Sequence, residues 1–238
     1  MIPLVYDQVN SGGKDDAFFT ALLKSLPINK LADLGCGTGR LTTHLAELGY
    51  DITAIDPHAE AIEQAKGKKN ADQITWIVGD SSSLQPNSYD AIIMTANVAQ
   101  VFLTEQSWQQ TITDTYLALK PGGHFIFDTR NPLAKVWEQW EMDDTPELAA
   151  DPVSGDTLHI WTEYEGFVDD IYTFTETIQN TRTNEVLIQQ KMQLKFRTRE
   201  MIHDSLKSVG FSEVRVYGDW VFEEAAPESK SFIFQAKK

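Results

Sequence analysis

The sequence predicts an α/β protein with a doubly wound, mostly parallel sheet and a β-rich insertion, on three observations. From about residue 17 to 128, short β-branched runs alternate with amphipathic stretches of helical period, as in successive βαβ units. From Leu158 to Phe196 the apolar pattern switches to period two, the mark of half-buried antiparallel strands. After Thr198 a helix and two strands restore the first texture, so the period-two segment interrupts the α/β unit and does not follow it. A chain of 238 residues with 42% hydrophobic content can bury one sizeable core. One domain over 1–238 is expected, with its core at about 17–135 and 198–238 and the insertion at about 136–197.

The first strand, Lys30 to Leu34, runs into Gly35-Cys36-Gly37-Thr38-Gly39; in the helix that follows, Leu41, Leu45 and Leu48 share a face before Gly49 ends it. The second, Asp51 to Ile55, stops at Asp56, which can cap the next helix, and Pro57 suits that helix's first turn because its missing N–H costs nothing there. The third strand, Ile74 to Val78, ends at Gly79-Asp80-Ser81. The fourth, Ala91 to Thr95, ends at Ala96-Asn97, ahead of a helix holding Trp108, Ile112 and Leu119. The turn Lys120-Pro121-Gly122-Gly123 leads to a fifth strand, His124 to Phe127. In the insertion, Leu158 to Tyr164, Ile171 to Ile178 and Val186 to Phe196 read as strands. On the last of these Val186, Ile188, Met192, Leu194 and Phe196 face one way, and Lys191, Gln193, Lys195 and Arg197 the other. Thr198 is placed to cap a helix through Ile202, Leu206 and Val209, Gly210 to end it, and Val214 to Tyr217 and Phe232 to Gln235 are the closing strands.

Composition removes several classes of function. Lys and Arg total 20 against 35 Asp and Glu, and the formal charge of -15 repels a phosphate backbone at long range, so nucleic acid is not an expected partner. Cys36 is the sole cysteine, which excludes an intramolecular disulfide and a cysteine-rich zinc site; no metal is expected. Met1 to Lys14 lacks the basic start and apolar stretch of a signal peptide, and no apolar run approaches a bilayer-spanning length. A cytoplasmic protein with no membrane partner is expected.

In an open parallel sheet, ligands bind beyond the C-terminal strand ends, near the point where strand order reverses. Asp33 to Gly39, Asp56, Asp80 and Asn97 fall at or just after successive strand ends and should line one rim. The glycines bring backbone N–H groups close to a ligand, and an acid after the second strand can accept hydrogen bonds from two ribose hydroxyls. Asp56 stands about 20 residues beyond the loop, the spacing this requires. The expected ligand is nucleoside-like. A dinucleotide fingerprint needs G-x-G-x-x-G, whereas this loop is G-x-G-x-G with Arg40 at the third glycine's place, which disfavours a nicotinamide cofactor.

Here the chain resembles the class I S-adenosylmethionine-dependent methyltransferases, small-molecule type. Leu31-Ala-Asp-Leu-Gly-Cys-Gly-Thr-Gly-Arg40 matches their first motif, and Asp56, Gly79-Asp80, Tyr89-Asp90 and Leu119-Lys-Pro-Gly-Gly123 match later ones, in order over about residues 30 to 130. The resemblance implies a seven-stranded Rossmann-like sheet with an antiparallel C-terminal hairpin, S-adenosyl-L-methionine as cofactor, and in-line transfer of its methyl group to a small-molecule acceptor. It implies that Asp33, Gly35, Cys36, Gly37 and Gly39 meet the methionine part, Asp56 with Pro57 the ribose, and Asp80 with Ser81 the adenine, while Ala96 and Asn97 lie near the sulfonium. Tyr6 resembles the N-terminal tyrosine that closes over the cofactor in several small-molecule members.

Such a reaction needs no metal, and alignment in a dry pocket can supply most of its acceleration. No catalytic residue is evident, and the candidates are Tyr6, Asn97 and His159, the last because it sits in the insertion expected to cover the acceptor. Cys36 reads as a small packed residue, with no His after it in the motif to activate it, and Arg40 as the partner of a surface acid.

Between Lys135 and Arg182 there is no Lys or Arg, yet the stretch holds Glu138, Glu141, Asp143, Asp144, Glu147, Asp151, Asp156, Glu163, Glu165, Asp169, Asp170 and Glu176, with Trp137, Trp140, Trp161 and Tyr164 interleaved. Acids attract a cation and aromatic faces hold it, so the insertion suits an amine-bearing acceptor. The plainer reading is an acidic surface over packed tryptophans. The alternatives are a methyltransferase for protein or RNA, or a non-catalytic cofactor-binding regulatory subunit. Charge counts against RNA, and Thr95-Ala-Asn-Val-Ala99 lacks the Asn/Asp-Pro-Pro-Tyr motif of enzymes that methylate amide or nucleobase nitrogens.

Overall fold

The computed structural model describes residues 4–142 and 145–238; Asp143 and Asp144 of the acidic stretch lie outside the described residues. Its strands are β1 (Lys30–Leu34), β2 (Asp51–Asp56), β3 (Ile74–Val78), β4 (Tyr89–Met94), β5 (Leu119–Arg130), β6 (Glu147–Ala150), β7 (Thr157–Val168), β8 (Ile171–Asn180), β9 (Val186–Lys195), β10 (Glu213–Gly218) and β11 (Ser231–Lys237). Seven of them form one sheet in the order β3-β2-β1-β4-β5-β11-β10, parallel except where β11 pairs antiparallel with β5 and β10. Order reverses between β1 and β4, so the crevice of a doubly wound sheet opens at their C-terminal ends. The insertion after β5 is a second, antiparallel sheet in the order β6-β7-β8-β9.

The helices are α1 (Tyr6–Val9), α2 (Lys14–Lys24), α3 (Arg40–Glu47), α4 (Ala59–Lys66), α5 (Glu105–Ala118), α6 (Trp137–Trp140) and α7 (Arg199–Val209). Strand alternation divides the core. Ala32, Leu34, Ile92, Met94, Phe125 and Phe127 pack on one face with Trp108, Ile112 and Leu206. Leu31, Ile52, Ile93 and Ile126 pack on the other with Leu22, Leu23, Leu41 and Leu45. Both faces of a parallel sheet are thereby covered, which its continuous apolar strands require. Thr198 caps α7 by accepting a hydrogen bond from the Met201 N–H at 3.2 Å, and Gly210 ends it at φ +119°.

Several expected details are corrected. The turn at Lys120–Gly123 is not a separate connection: Leu119 leaves α5 to begin β5, pairs with Tyr89, and the ladder resumes at His124 with Ala91, so the four residues bulge out of one long strand. Asp56 caps no helix, because α4 starts at Ala59, and Pro57 precedes its cap residue His58. The edge strand β6 carries no apolar alternation that would announce it, with three of its four residues exposed. Arg197, expected to face water, is 2% exposed, since its guanidinium donates to the Phe102 and Thr104 carbonyls and to Glu105. Among the described residues no helix is long and apolar enough to cross a membrane.

Candidate active site

The loop after β1 is shaped by neighbours that leave no room for side chains. At Gly35, with φ +80°, an added Cβ would lie 2.7 Å from a methyl of Val98, and at Gly39, with φ +72°, 2.6 Å from the Trp76 ring. The Gly35 and Cys36 N–H groups donate to the Ile55 carbonyl at 2.7 and 3.2 Å, which ties the loop to the end of β2. The Gly37 N–H donates to Asp56 Oδ2 at 2.9 Å, while Asp56 Oδ1 accepts from the His58 N–H at 2.9 Å. Thus Asp56, 3% exposed, faces the glycine loop.

Asp33 lies beneath the loop. Its Oδ2 accepts from the Thr42 hydroxyl at 2.7 Å, but Oδ1 is buried with no partner. Burial pushes its carboxyl up to about 7, against the Thr42 hydrogen bond and with a further rise from Asp56. A buried acceptor without a donor is costly unless a ligand supplies one. Asp33, Gly35, Cys36, Gly37, Tyr6 and Arg40 line a small cleft over the loop. Burial also raises the Cys36 thiol, with Asp33 and Asp56 adding to the effect, so it has no thiolate character to offer. Arg40 does pair with acids, Asp16 and Asp15.

After β4, Ala96 and Asn97 both take left-handed backbone, with φ +57° and +62°. This turns the chain back across the rim, and the Asn97 N–H donates to Asp128 Oδ2 at 3.0 Å. At the end of β3, Asp80 accepts from the Ser82 N–H and hydroxyl at 3.0 and 2.6 Å, and the Ser81 hydroxyl donates to Asp114 at 2.7 Å. The parallel pairing of β4, β1, β2 and β3 sets Asn97, Gly35, Asp56 and Gly79-Asp80 along one rim, in spatial order.

Between this rim and the insertion lies a cavity of about 580 Å³. Tyr6, Ala96, Asn97, Asp128 and Arg130 line it from the rim side; Glu147, Ile160, Phe174, Glu176, Met192 and Leu194 line it from the insertion sheet. Tyr6, Arg40, Ala96 and Val98 border both the cavity and the small cleft, which joins the two. Helix α1 spans them: Asp7 accepts from the Thr38 hydroxyl at 2.7 Å, and the Gln8 amide both donates to and accepts from the Ala150 backbone at 2.9 Å. Burial raises the Tyr6 hydroxyl above its ordinary pKa despite Arg40, so it stands as a hydrogen-bond donor and not as a base.

His159 is not at this site. Its neighbours Ile160 and Thr162 line the cavity, and alternation along β7 turns His159 to the opposite face, 5.2 Å from the Trp161 ring. The interleaved aromatics also serve elsewhere, since Trp137 packs on Phe167 and Phe196, and Trp140 on Tyr172 and Arg130. The aromatic faces on the cavity are those of Tyr6, Phe174 and Trp220. Sequence reasoning passed over Asp128 and Arg130, although they close β5 by the same strand-end rule that found Asp56. It also passed over the position of Glu176 between Phe174 and Ile178 on the cavity face of β8, where it pairs with Thr162 and Gln190.

The sequence family described as "Methyltransferase domain" matches residues 31–123, the span from β1 to the bulge of β5. YqeM of Bacillus subtilis (strain 168), provisionally named a methyltransferase, is 26% identical over 242 residues, covering 98% of this chain and 94% of that protein. The chain is an S-adenosylmethionine-dependent methyltransferase. This methyltransferase is also 26% identical over 228 residues to a glycine/sarcosine N-methyltransferase of Halorhodospira halochloris, with 93% of this chain and 80% of that protein covered. The S-adenosylmethionine-bound structure of CalS10, an amino pentose methyltransferase from Micromonospora echinaspora, shares the fold at a TM-score of 0.71 and 15% identity, over 98% of this chain and 96% of that one. S-adenosylmethionine is the cofactor of the methyltransferase, and the unpartnered Asp33 Oδ1 beside a glycine loop too tight for side chains fits its ammonium and its close-lying methionine backbone.

Proposed function

We propose that this methyltransferase methylates an amine nitrogen of a small molecule held in the 580 Å³ cavity. The observation that carries the reading is Glu176, a half-buried carboxylate on the cavity face of the insertion sheet, opposite Thr162 and Gln190 in the ladder, with Phe174, Met192, Leu194 and Glu147 around the same cavity. A carboxylate in such a place is expensive to keep, and a cationic ligand offsets the cost. Burial pushes its carboxyl above the ordinary range, and the charge of Glu147 adds to the rise. Phe174, Trp220 and Tyr6 offer ring faces to the same cation. The relatives named for glycine and sarcosine, and for an amino pentose, support a small amine as acceptor.

On the cofactor side, Asp33 with Gly35, Cys36, Gly37 and Gly39 would hold the methionine part, Asp56 and Pro57 the ribose, and Asp80 with Ser81 the adenine, with Ala96 and Asn97 beside the sulfonium. When bound, the cofactor supplies a methyl group on a cationic sulfur, which a nucleophile in line with the S–C bond can take. The chain's part is to align the acceptor's nitrogen, exclude water and, through the Glu176 carboxylate, accept the proton that the ammonium must lose before its lone pair can attack. The formal charge of -15 argues against a nucleic-acid substrate. A cytoplasmic location belongs to the same proposal, since the single Cys36 leaves no disulfide to be kept oxidised.

A panel of cationic amines and neutral phenols tests the reading, with labelled S-adenosylmethionine as methyl donor. Amines are expected to be methylated, and Glu176→Gln is expected to raise their KM about 10-fold or more, the loss of one charge-assisted contact. Activity confined to phenols would overturn it.

A further inference from the structure

Arg130 ends β5 on the rim side of the large cavity. Its surroundings set it apart from the chain's other arginines. Arg40 faces Asp16, Arg182 faces Asp156, Arg197 faces Glu105 and Arg199 faces Glu224, while Arg215 stands in solvent. Among the described residues Arg130 forms no ion pair, although it is half-buried and borders the cavity. The nearby Asp128 acts on it through its charge but makes no ion-pair contact: its Oδ2 accepts from the Asn97 N–H, and its Oδ1 is enclosed without a hydrogen-bond partner.

The guanidinium is nevertheless held in place. One Nη donates to Gln100 Oε1 at 2.8 Å, and the group sits 4.9 Å from the centroid of the Trp140 ring. Gln100 is itself fully buried, so this support is rigid. A positioned cation, half-buried and with no carboxylate in contact, is a half-built site for an anion. The planar fork of a guanidinium suits a carboxylate, which it can bind through two parallel hydrogen bonds.

Two carboxylates could come to this place, one from the cofactor's methionine part and one from the acceptor. The lining residues separate them. Arg40 borders the small cleft over the glycine loop as well as the cavity, whereas Arg130 borders the cavity alone. The cofactor's carboxylate is thereby matched to the cleft over the glycine loop, and Arg130, which borders the cavity alone, is left to the acceptor.

We propose that Arg130 binds a carboxylate of the methyl acceptor, so that the acceptor is a zwitterion of the amino-acid class, held between Arg130 on the rim and Glu147 and Glu176 on the insertion sheet. This rests on the amine reading above. It adds a demand that reading does not make, because a simple alkylamine satisfies Glu176 and leaves Arg130 bare.

The experiment compares kcat/KM for paired acceptors: glycine, β-alanine and 4-aminobutanoate, each beside its decarboxylated amine and its methyl ester. The parent enzyme is expected to prefer the free carboxylate in at least one pair by about 10- to 100-fold, the range of a charge-assisted contact. Arg130→Gln, which keeps a side chain able to bond Gln100, should collapse that ratio toward one, and Arg130→Lys should restore part of it. Calorimetric binding of S-adenosylmethionine reports whether each variant is folded. Methylation of amine and amino acid alike by the parent, or a preference that survives Arg130→Gln, overturns the role of Arg130 and leaves the amine reading standing. A fall in cofactor affinity in Arg130→Gln with no change in the ratio assigns Arg130 to the cofactor and also overturns it. If no acceptor in the panel is methylated, the amine reading falls and this inference with it.

Discussion

The rim and the insertion sheet face each other across one cavity, and they are built on different principles. The rim is a product of backbone: positive-φ glycines, a left-handed Ala96-Asn97 pair, and N–H groups aimed at carboxylates. The insertion wall is a product of side chains, in which alternation along β7, β8 and β9 decides that Ile160, Phe174, Glu176, Met192 and Leu194 look inward. A backbone-built wall tolerates few substitutions and suits a fixed ligand. A wall of alternating side chains can be rewritten one residue at a time, and so suits the ligand that differs from relative to relative.

The largest effect should come from breaking the backbone wall. Gly35→Ala places a Cβ against Val98 at a left-handed position, and is expected to cost about 2–5 kcal/mol of stability and to abolish measurable cofactor binding, read by denaturant midpoint and calorimetry. Adding Val98→Ala should recover part of the binding, since the clash goes and only the backbone strain remains. If Gly35→Ala behaves like the parent, the rim is not set by backbone.

Next is the pH response of the buried acid beneath the loop. Asp33 titrates near 7 when folded and near 4 when unfolded, so its contribution to stability is complete below about pH 4 and is lost as pH rises through about 7. The ligand-free protein should therefore lose stability across that window, by on the order of 4 kcal/mol for Asp33 at most. In Asp33→Asn that share of the slope should vanish, so the variant gains on the parent as pH rises. Equal slopes in chemical denaturation at pH 5 and pH 8 would show that Asp33 is charged throughout.

A smaller effect is expected from Asp56→Ala, which should weaken S-adenosylmethionine by roughly 1–3 kcal/mol in calorimetry as ribose hydroxyls lose a charged acceptor. Unchanged affinity would reassign Asp56 to holding the Gly37 N–H alone. Smallest is Gln8→Ala, which cuts the two bonds between α1 and β6 and should cost about 0.5–1.5 kcal/mol in thermal or chemical unfolding, with little change in cofactor affinity. A large loss of cofactor affinity there would mean that the two walls are not separable.

The same contrast explains what could be read before the structure. Strand ends and glycine turns leave local marks, so β1 to β4, the rim acids and the capping Thr198 were legible from residues close together in the chain. The β5 bulge was not, because Pro121, Gly122 and Gly123 spell a turn equally well, and only the pairing of Leu119 and His124 with β4 on either side makes them a bulge within one strand. The period-two face of β8 was legible too, but which face looks at the cavity depends on how the second sheet sits on the rim, a long-range fact. His159 was misjudged for that reason, one residue out of phase with Ile160. Arg130 was missed because a cation with no carboxylate in contact is visible only after every nearby carboxylate has been located.

The formal charge of -15 acts on the traffic of the cofactor as well as on its chemistry. S-adenosylmethionine arrives with a net positive charge and departs as a neutral thioether, so the acidic surroundings favour the fresh molecule over the spent one without any contact that distinguishes their shapes. That preference reaches only about 8 Å in physiological salt, which confines it to the mouth of the cavity. Product inhibition should be eased at low ionic strength and return as salt is added.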